Sequence, residues 1–343
     1  MNYCKYGTHR VIEPKGALPQ AAYKIDPTPK PFPNECLIEV DVLNIDSASF
    51  TQIKKACDYD EEKMKAMILD IVTKQGKMQN PVTKSGGMLI GAVKEIGLEF
   101  HDQSLSKGTK IATLVSLSLT PLFIEEIISI NLSNEQVKIK GQGILFDSGI
   151  YACIPEDLNE KLVLAALDVA GAPAQAIKLA KKDDNVLILG AAGKSGILCA
   201  YQAKKVVGPK GKIIGLVRKE SQKEFLESLH IYDEIIIGDA LNAIDTYHKI
   251  SDVTQGKLCD LTINVVNVEN TEMSSILCTK EQGTVYFFSM ATSFTKAALG
   301  AEGIGKDVNM IIGNGYTKDH AEITLNLMRE SKVLHDLFME RYQ

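Results

Sequence analysis

The chain has 343 residues, long enough for two domains of ordinary size. With 45% hydrophobic and 24% charged residues it has the composition of a soluble globular protein able to bury two cores. A net charge of −5, with both signs interspersed, argues against a nucleic-acid surface or a polybasic membrane patch.

Met1–Lys15 lacks the apolar core of a signal peptide, and no apolar run reaches the ~18 residues of a membrane span, so a cytoplasmic protein is expected. The cysteines are Cys4, Cys36, Cys57, Cys153, Cys199, Cys259 and Cys278. Odd in number, scattered and without a CxxC pair, they read as reduced thiols rather than a disulfide framework or a zinc lobe.

Residues 1–155 read as mostly β. Apolar runs such as Cys36–Leu43 and Met88–Ile96 are set off by Pro27, Pro29, Pro31, Pro33, Gly86 and Gly87. The alternation from Leu37 to Val42 predicts a half-buried strand. Asp58–Lys74 carries Met64, Met67, Ile68 and Ile71 at helical spacing, which predicts an inserted helix whose Met and Ile stripe is packing rather than a ligand site.

Over residues 156–182, Leu162, Ala165, Ala166, Val169, Ala170, Ile177 and Leu179 predict two short helices around Gly171 and Pro173. From Asp184 the rhythm changes to short apolar strands separated by helical stretches. These strands are Val186–Leu189, Lys212–Val217, Glu234–Ile237, Leu261–Val266, Thr284–Ser289 and Asn309–Ile312. Such a pattern predicts a parallel sheet covered on both faces. A last helix is expected over Asp319–Leu337.

The strand Val186–Leu189 runs straight into Gly190-Ala191-Ala192-Gly193-Lys194-Ser195-Gly196, and a helix with Ile197, Leu198, Ala200, Ala203, Val206 and Val207 on its apolar face follows. Glycine suits a tight turn at positive φ, a close approach to pyrophosphate, and a helix laid near its strand. The helix N-terminus supplies N–H groups and partial positive charge to phosphates. Strand, turn, helix and second strand together point to a dinucleotide site on Gly190, Ala192, Gly193, Lys194, Ser195 and Gly196. The bland alternative is a tight strand–helix turn without ligand. A P-loop fits less well, because Leu189 stands where its first glycine would be.

The second strand ends at Leu216-Val217-Arg218-Lys219-Glu220. An acid at this tip would accept from the ribose diol of NAD, whereas Arg218, with Lys219 beside it, suits a 2′-phosphate. NADP is therefore favoured. NAD remains the alternative if Arg218 only stacks on adenine, and Glu220 leaves room for it.

A β-rich domain followed by Gly-Ala-Ala-Gly-x-x-Gly on a Rossmann pattern resembles the medium-chain dehydrogenase/reductase superfamily over nearly the whole chain. Within it the sequence is most similar to the diaminohexanoate dehydrogenase family of anaerobic lysine fermentation. The segments that carry this likeness are 6–11, 43–50, 85–91, 167–173 and 313–316. The resemblance implies an α/β protein in three parts. Residues 1–155 would be a GroES-like β-rich substrate and catalytic domain, 156–318 a Rossmann doubly wound parallel sheet, and 319–343 a C-terminal helix packing on the molecule. It also implies oxidative deamination at C3 of a 3,5-diamino acid by a homodimer. Val266 and Asn267 would contact the ribose, and Ser289 and Met290 the nicotinamide amide, with plain strand-end turns as the alternative for both. Zinc-dependent members carry a Gly-His-Glu motif and a four-cysteine lobe. Here Ile90-Gly91-Ala92 takes the motif's place, the lobe is missing, and no metal is expected.

Amine oxidation needs the neutral amine, because an ammonium has no lone pair to support hydride loss, so a base must take a proton. Asp46, after the Leu37–Leu43 strand, and Asp168, in an apolar helical run where an unpaired acid is costly, are the candidate acids. Asp46 could equally cap a helix over Ser47–Lys55, and Asp168 could be an ion-paired structural acid. His9 reads as a surface histidine, Arg10 could reach a carboxylate, and Glu125-Glu126 read as solvated surface. Two rival functions are a zinc-free quinone or enoyl reductase with an apolar site, and a non-catalytic NADP-binding protein.

Overall fold

The computed structural model describes residues 3–132, 134–313 and 315–341, and the chain falls into two units, Met1–Glu160 and Lys161–Gln343. In the first unit β1 (Val11–Glu13) pairs antiparallel with β2 (Lys24–Ile25). The long strand β3 (Glu35–Ile45) is followed by helices α1 (Ser47–Ala56) and α2 (Glu61–Gln75). Then come β4 (Gly87–Ile96), β5 (Lys110–Thr113), β6 (Leu122–Asn131), β7 (Gln136–Phe146) and β8 (Tyr151–Cys153). Among the described residues the larger sheet has the order β6-β7-β3-β4-β5-β8, antiparallel throughout.

The alternation expected in β3 holds only in part. Ile38 and Val40 point into the main core, but beyond Asp41 the buried positions are Leu43 and Ile45. The register slips between Val40 and Val42 against both neighbouring strands, and one extra residue reverses which parity faces inward. Leu37 is buried as well, in a small cluster with Ile144 and Phe146.

The inserted helix starts later than its periodicity suggested. Asp58 and Tyr59 adopt left-handed φ of 53° and 62°, and Asp60 caps α2 by accepting from Lys63 N–H at 3.0 Å. Met64, Ile68 and Ile71 are buried in the core, as packing residues should be.

Arg10 and Glu35 are both buried. Arg10 Nε and Nη2 donate to the two Glu35 oxygens at 2.7 and 2.6 Å. Its remaining N–H groups reach the carbonyls of Thr28 at 3.0 Å, Asp26 at 3.2 Å and Lys30 at 2.7 Å. Glu35 also accepts from Phe32 N–H at 2.8 Å, and His9 Nε2 lies 2.8 Å from its Oε1. His9 is therefore no surface histidine: its side chain is 15% exposed and engaged with a buried acid.

In the second unit α3 (Glu160–Leu167, its first residue at the boundary) and α4 (Gly171–Leu179) bend by 55° at the break between them. Among the described residues no single helix is long and apolar enough to cross a membrane. Strands and helices then alternate. The first half holds β9 (Asn185–Leu189), α5 (Lys194–Val207), β10 (Lys212–Val217), α6 (Glu220–Leu229), β11 (Glu234–Ile237) and α7 (Ala243–Val253). The second half holds β12 (Cys259–Asn264), α8 (Glu272–Cys278), β13 (Thr279–Phe287), α9 (Phe294–Gly303) and β14 (Asn309–Ile312). The strands pair in parallel in the order β11-β10-β9-β12-β13-β14, the doubly wound Rossmann arrangement expected.

The last predicted helix is two: α10 (His320–Glu330), which packs on α4, and α11 (Lys332–Arg341). Ser331 between them is extended, at φ −121° and ψ 105°, and its hydroxyl accepts from Leu334 N–H at 3.3 Å.

Removing one partner of the Arg10–Glu35 pair strands a buried charge. Arg10→Met is expected to cost about 3–5 kcal/mol of unfolding free energy, read as a lower urea midpoint. Burial alone would raise the Glu35 pKa, yet the His9, Arg10 and Phe32 donors hold it below its ordinary value. Stability from this carboxylate is thus complete above its unfolded pKa and is lost as pH falls through the depressed folded one. Arg10→Met should weaken that acid limb, of which the His9 and Phe32 donors keep a part, and an unchanged midpoint and pH profile would show that the pair does not anchor the N-terminal segment.

Candidate functional site

At the end of β9 the backbone turns at Gly190 with φ +85°. A Cβ on Gly196 would lie 2.5 Å from the Gly190 carbonyl oxygen and 2.8 Å from that of Ala191, so α5 can rest this close to its strand only with glycine there. At Gly193 an added Cβ would meet only the Gly190 oxygen, at 3.5 Å. Gly193 is also the N-cap of α5, and with no side chain there the loop admits an anion to the positive end of the helix. From below, the Tyr232 hydroxyl lies 2.9 Å from the Ala191 carbonyl and 3.0 Å from the Gly196 carbonyl and shares its proton between them.

A cavity of about 220 Å³ opens above this turn at the C-terminal ends of four adjacent strands. Gly190–Gly193 line it after β9, Leu216–Arg218 and Gln222 at β10, and Gly238–Leu241 after β11. Val265–Val268 and Thr271 complete the wall after β12. The chain winds one way from β9 through β11 and the other way from β12, so the cavity stands at the topological switch point, where open α/β sheets bind ligands. It is smaller than pockets that enclose a whole drug-sized ligand, about 300–1,000 Å³, and suits one half of a dinucleotide.

Two side chains brace the wall. Gln222 Oε1 accepts from the N–H groups of Arg218 at 3.0 Å and Lys219 at 3.2 Å, which fixes the tip of β10. The buried Asn264 donates to the Thr271 and Ser275 hydroxyls, both at 2.9 Å, and accepts from Val266 N–H at 3.0 Å. That last bond ends β12 at Asn264, two residues before the expected Val266.

Of the residues singled out from sequence, Gly190, Ala192, Gly193, Arg218, Val266 and Asn267 come together around this cavity. Lys194, Ser195 and Gly196 form the first turn of α5 behind the loop, and Lys219 stands at the N-cap position of α6, its N–H donating to Gln222. Ser289 and Met290 lie outside the cavity lining. Ser289 Oγ accepts from Ala291 N–H at 3.2 Å in a turn past β13, and Met290 is exposed. Sequence reading missed Gln222, Gly238, Asp239 and Thr271. The available signal was the Gly238-Asp239 pair directly after the β11 strand, since such sites gather at strand ends.

The two candidate acids lie in different units. Asp46 is the N-cap of α1. Its Oδ1 accepts from Ser49 N–H at 3.0 Å and its Oδ2 from the Ser85 hydroxyl at 2.5 Å. Asp168 is not buried in an apolar helix as expected. It sits in the break between α3 and α4, its side chain 44% exposed, with Oδ2 2.6 Å from Lys194 Nζ of the glycine turn. Glu125 is exposed and pairs with Lys140 at 2.8 Å. Among the described residues no three His, Cys, Asp or Glu side chains are grouped to hold a metal ion. In the 313–316 segment Asn314 lies outside the described residues.

The glycine cradle, the open face at Gly193 and the strand-end cavity fit a dinucleotide. Comparison with known proteins gives the rest. Residues 9–155 match the family model described as the L-erythro-3,5-diaminohexanoate dehydrogenase N-terminal domain. The chain is 60% identical over 343 residues to the L-erythro-3,5-diaminohexanoate dehydrogenase of Acetoanaerobium sticklandii, covering 100% of both. It is 59% identical over 340 residues to the enzyme of that name from Fusobacterium nucleatum, covering 99% of each. The chain belongs to the L-erythro-3,5-diaminohexanoate dehydrogenase family. As a member of it, the chain also shares its fold with more distant reductases. One is the CurK enoyl reductase, at 16% identity and TM-score 0.54, covering 91% of this chain and 79% of that one. Another is a mycobacterial quinone oxidoreductase, at 15% identity and TM-score 0.54, covering 95% and 87%.

The glycine geometry separates two outcomes. Gly193→Val should fold normally, because its Cβ has room, yet lose dinucleotide binding in a calorimetric titration. Gly196→Val should lower the melting temperature, because its Cβ would strike backbone. A Gly193→Val protein that binds NADP like wild type would place the phosphates elsewhere.

Proposed function

We propose that the protein oxidatively deaminates (3S,5S)-3,5-diaminohexanoate as a step of lysine fermentation: C3 gives up a hydride to a nicotinamide dinucleotide, and one water hydrolyses the resulting imine to give 5-amino-3-oxohexanoate and ammonium. The observation that carries this reading is 60% identity across the full length of a relative named for that activity. When bound, the nicotinamide supplies the acceptor for the hydride that leaves C3.

The chain's own residues handle binding and protons. Asp168 is the proposed acceptor of the proton from the C3 ammonium, being open to a cationic substrate at the helix break. Asp46, its oxygens oriented by the Ser49 and Ser85 donors, is the proposed holder of an ammonium group. The Gly190–Gly196 turn takes the pyrophosphate, and Val266 and Asn267 bound the adjacent ribose. Lys194, Ser195 and Lys219 are proposed to add charge and polar contacts at the phosphates, and Ser289 and Met290 to meet the nicotinamide amide. Arg218 at the rim of the cavity is proposed to receive a 2′-phosphate, which favours NADP with NAD as the second cofactor.

Two further expectations belong to this reading. A homodimer is supported by β14, which among the described residues is an edge strand of its sheet, with Ile312 exposed. A cytoplasmic setting is supported by seven free cysteines, of which Cys36, Cys57, Cys199, Cys259 and Cys278 are buried. The partner is a small-molecule amino acid; neither nucleic acid nor membrane is proposed.

The test is turnover. Asp168→Asn keeps size and removes charge, and should lower kcat for the diamino acid by ~10²–10⁴-fold, the scale of a lost general base. Its cofactor affinity should not weaken. Asp46→Asn should act mainly through KM. The oxidative rate should rise with pH, since the substrate amine, with a pKa near ~10 like a lysine, must shed its proton first. Wild-type turnover in both variants would remove the acids from the reaction. A wild type that ignores the diamino acid but oxidises NADPH with a quinone would overturn the substrate.

A further inference from the structure

The cavity that receives Arg218 also holds an acid which a phosphate-binding site does not call for. Asp239 follows Gly238 at the end of β11, the strand beside β10. Its Oδ2 lies 3.7 Å from Arg218 Nη2, and both residues line the cavity. Its Oδ1 accepts from Leu241 N–H at 3.0 Å, which fixes the direction of the carboxylate. The two side chains are 68% and 45% exposed, and an ion pair in that setting adds little to stability. The ion pair therefore does not account for the acid, and the bond from Leu241 would be accepted equally well by an asparagine, so the charge itself is left to explain.

Its charge does have a consequence for whatever binds Arg218. A 2′-phosphate dianion reaching the guanidinium must also come close to the Asp239 carboxylate and meet like charge. A ribose with free hydroxyls meets no such penalty and can donate a charge-assisted hydrogen bond to the same oxygen. We propose that Asp239 is the residue that admits NAD. It accepts a hydroxyl of the adenosine ribose and competes for Arg218. The two side chains thus pull cofactor preference in opposite directions, and the protein takes both dinucleotides. This rests on the reading of the cavity as the adenosine end of a dinucleotide site.

Direct calorimetric titration of the full chain with NAD⁺ and with NADP⁺, without substrate, tests it in wild type, Asp239→Asn and Arg218→Ala. Asparagine retains the oxygen that accepts from Leu241, and Asp239→Ser, which also keeps a short acceptor, serves as a second variant if the first lowers the melting temperature. A hydrogen bond to a charged group is typically worth about 1.5–3 kcal/mol, so Asp239→Asn should weaken NAD⁺ by ~10-fold or more. The same change should tighten NADP⁺, and Arg218→Ala should move the ratio the other way. If Asp239→Asn changes both affinities by one common factor, the carboxylate serves a part shared by the two cofactors, such as adenine, and the proposal is wrong. No change in either affinity overturns it equally. A wild type that binds neither dinucleotide brings down the cavity reading and this inference with it. A shifted ratio in Asp239→Asn with no NADP⁺ loss in Arg218→Ala would retain Asp239 and dismiss Arg218 as the phosphate ligand.

Discussion

A missing side chain is the constraint on which the nucleotide unit depends. The turn after β9 needs a left-handed residue at Gly190, and the approach of α5 to β9 leaves no room for a Cβ at Gly196. The same economy of volume extends one strand further. A Cβ on Gly215, inside β10, would lie 2.9 Å from the Tyr232 ring and 3.0 Å from the Ala191 Cβ. With glycine there, the ring fits under the loop and its hydroxyl reaches the Ala191 and Gly196 carbonyls. A buried hydroxyl is costly unless it is bonded, so these contacts tie the position of Tyr232 to the shape of the loop. The loop is therefore held from beneath by a residue that does not line the cavity.

Around that rigid centre the polar groups divide into those that build the wall and those that present charge. Asn264 and Gln222 are builders: each satisfies backbone N–H groups that a strand end leaves over. Arg218, Asp239, Lys194 and Asp168 present charge, and each of their pairings involves partly exposed side chains. Exposed pairs exchange partners at little energetic cost, whereas a buried pair such as Arg10–Glu35 does not. The first kind suits a surface that must accept an anionic ligand. The second suits an anchor, and it lies in the N-terminal segment, where it ties Arg10 to the loop carbonyls of Asp26, Thr28 and Lys30.

What was legible in the sequence follows from the same physics. The parallel strands of the second unit are buried on both faces, so they read as continuous apolar runs, and the glycine turn stands out between strand and helix. Strand ends were less legible because side chains decide them. Asn264 captures Val266 N–H and stops β12 early. β13 begins at Thr279, five residues before the apolar run, as its register against β12 slips between Cys259 and Leu261. The bulge at Asp41 could not be read from an alternation that continues through it. Half of the cavity wall was hidden for another reason. Gly238 and Asp239 meet Arg218 only because β11 lies beside β10, a neighbourhood set by sheet order and not by spacing along the chain. Asp168 misled by context: its neighbours are buried, but the helix breaks at that residue and turns it to solvent beside Lys194.

One comparison lies within the first unit, whereas the named relatives span both. Distant reductases at about 15% identity share the fold across nearly the whole chain, and fold alone does not fix chemistry. The family model, by contrast, covers residues 9–155 and so lies wholly within the first unit. A glycine turn that cradles pyrophosphate serves any enzyme using such a cofactor, so it carries little that is particular to one substrate. The stretch that this model matches holds the Arg10–Glu35 anchor, the bulged β3 strand and the Asp46 cap that follows it. Asp46, proposed above to hold an ammonium group, has a structural duty as well. As an N-cap it satisfies the first turn of α1, and the Ser85 hydroxyl fixes its second oxygen. A carboxylate held this way has already lost its rotational freedom to the fold, and any cation it receives need not fix it again.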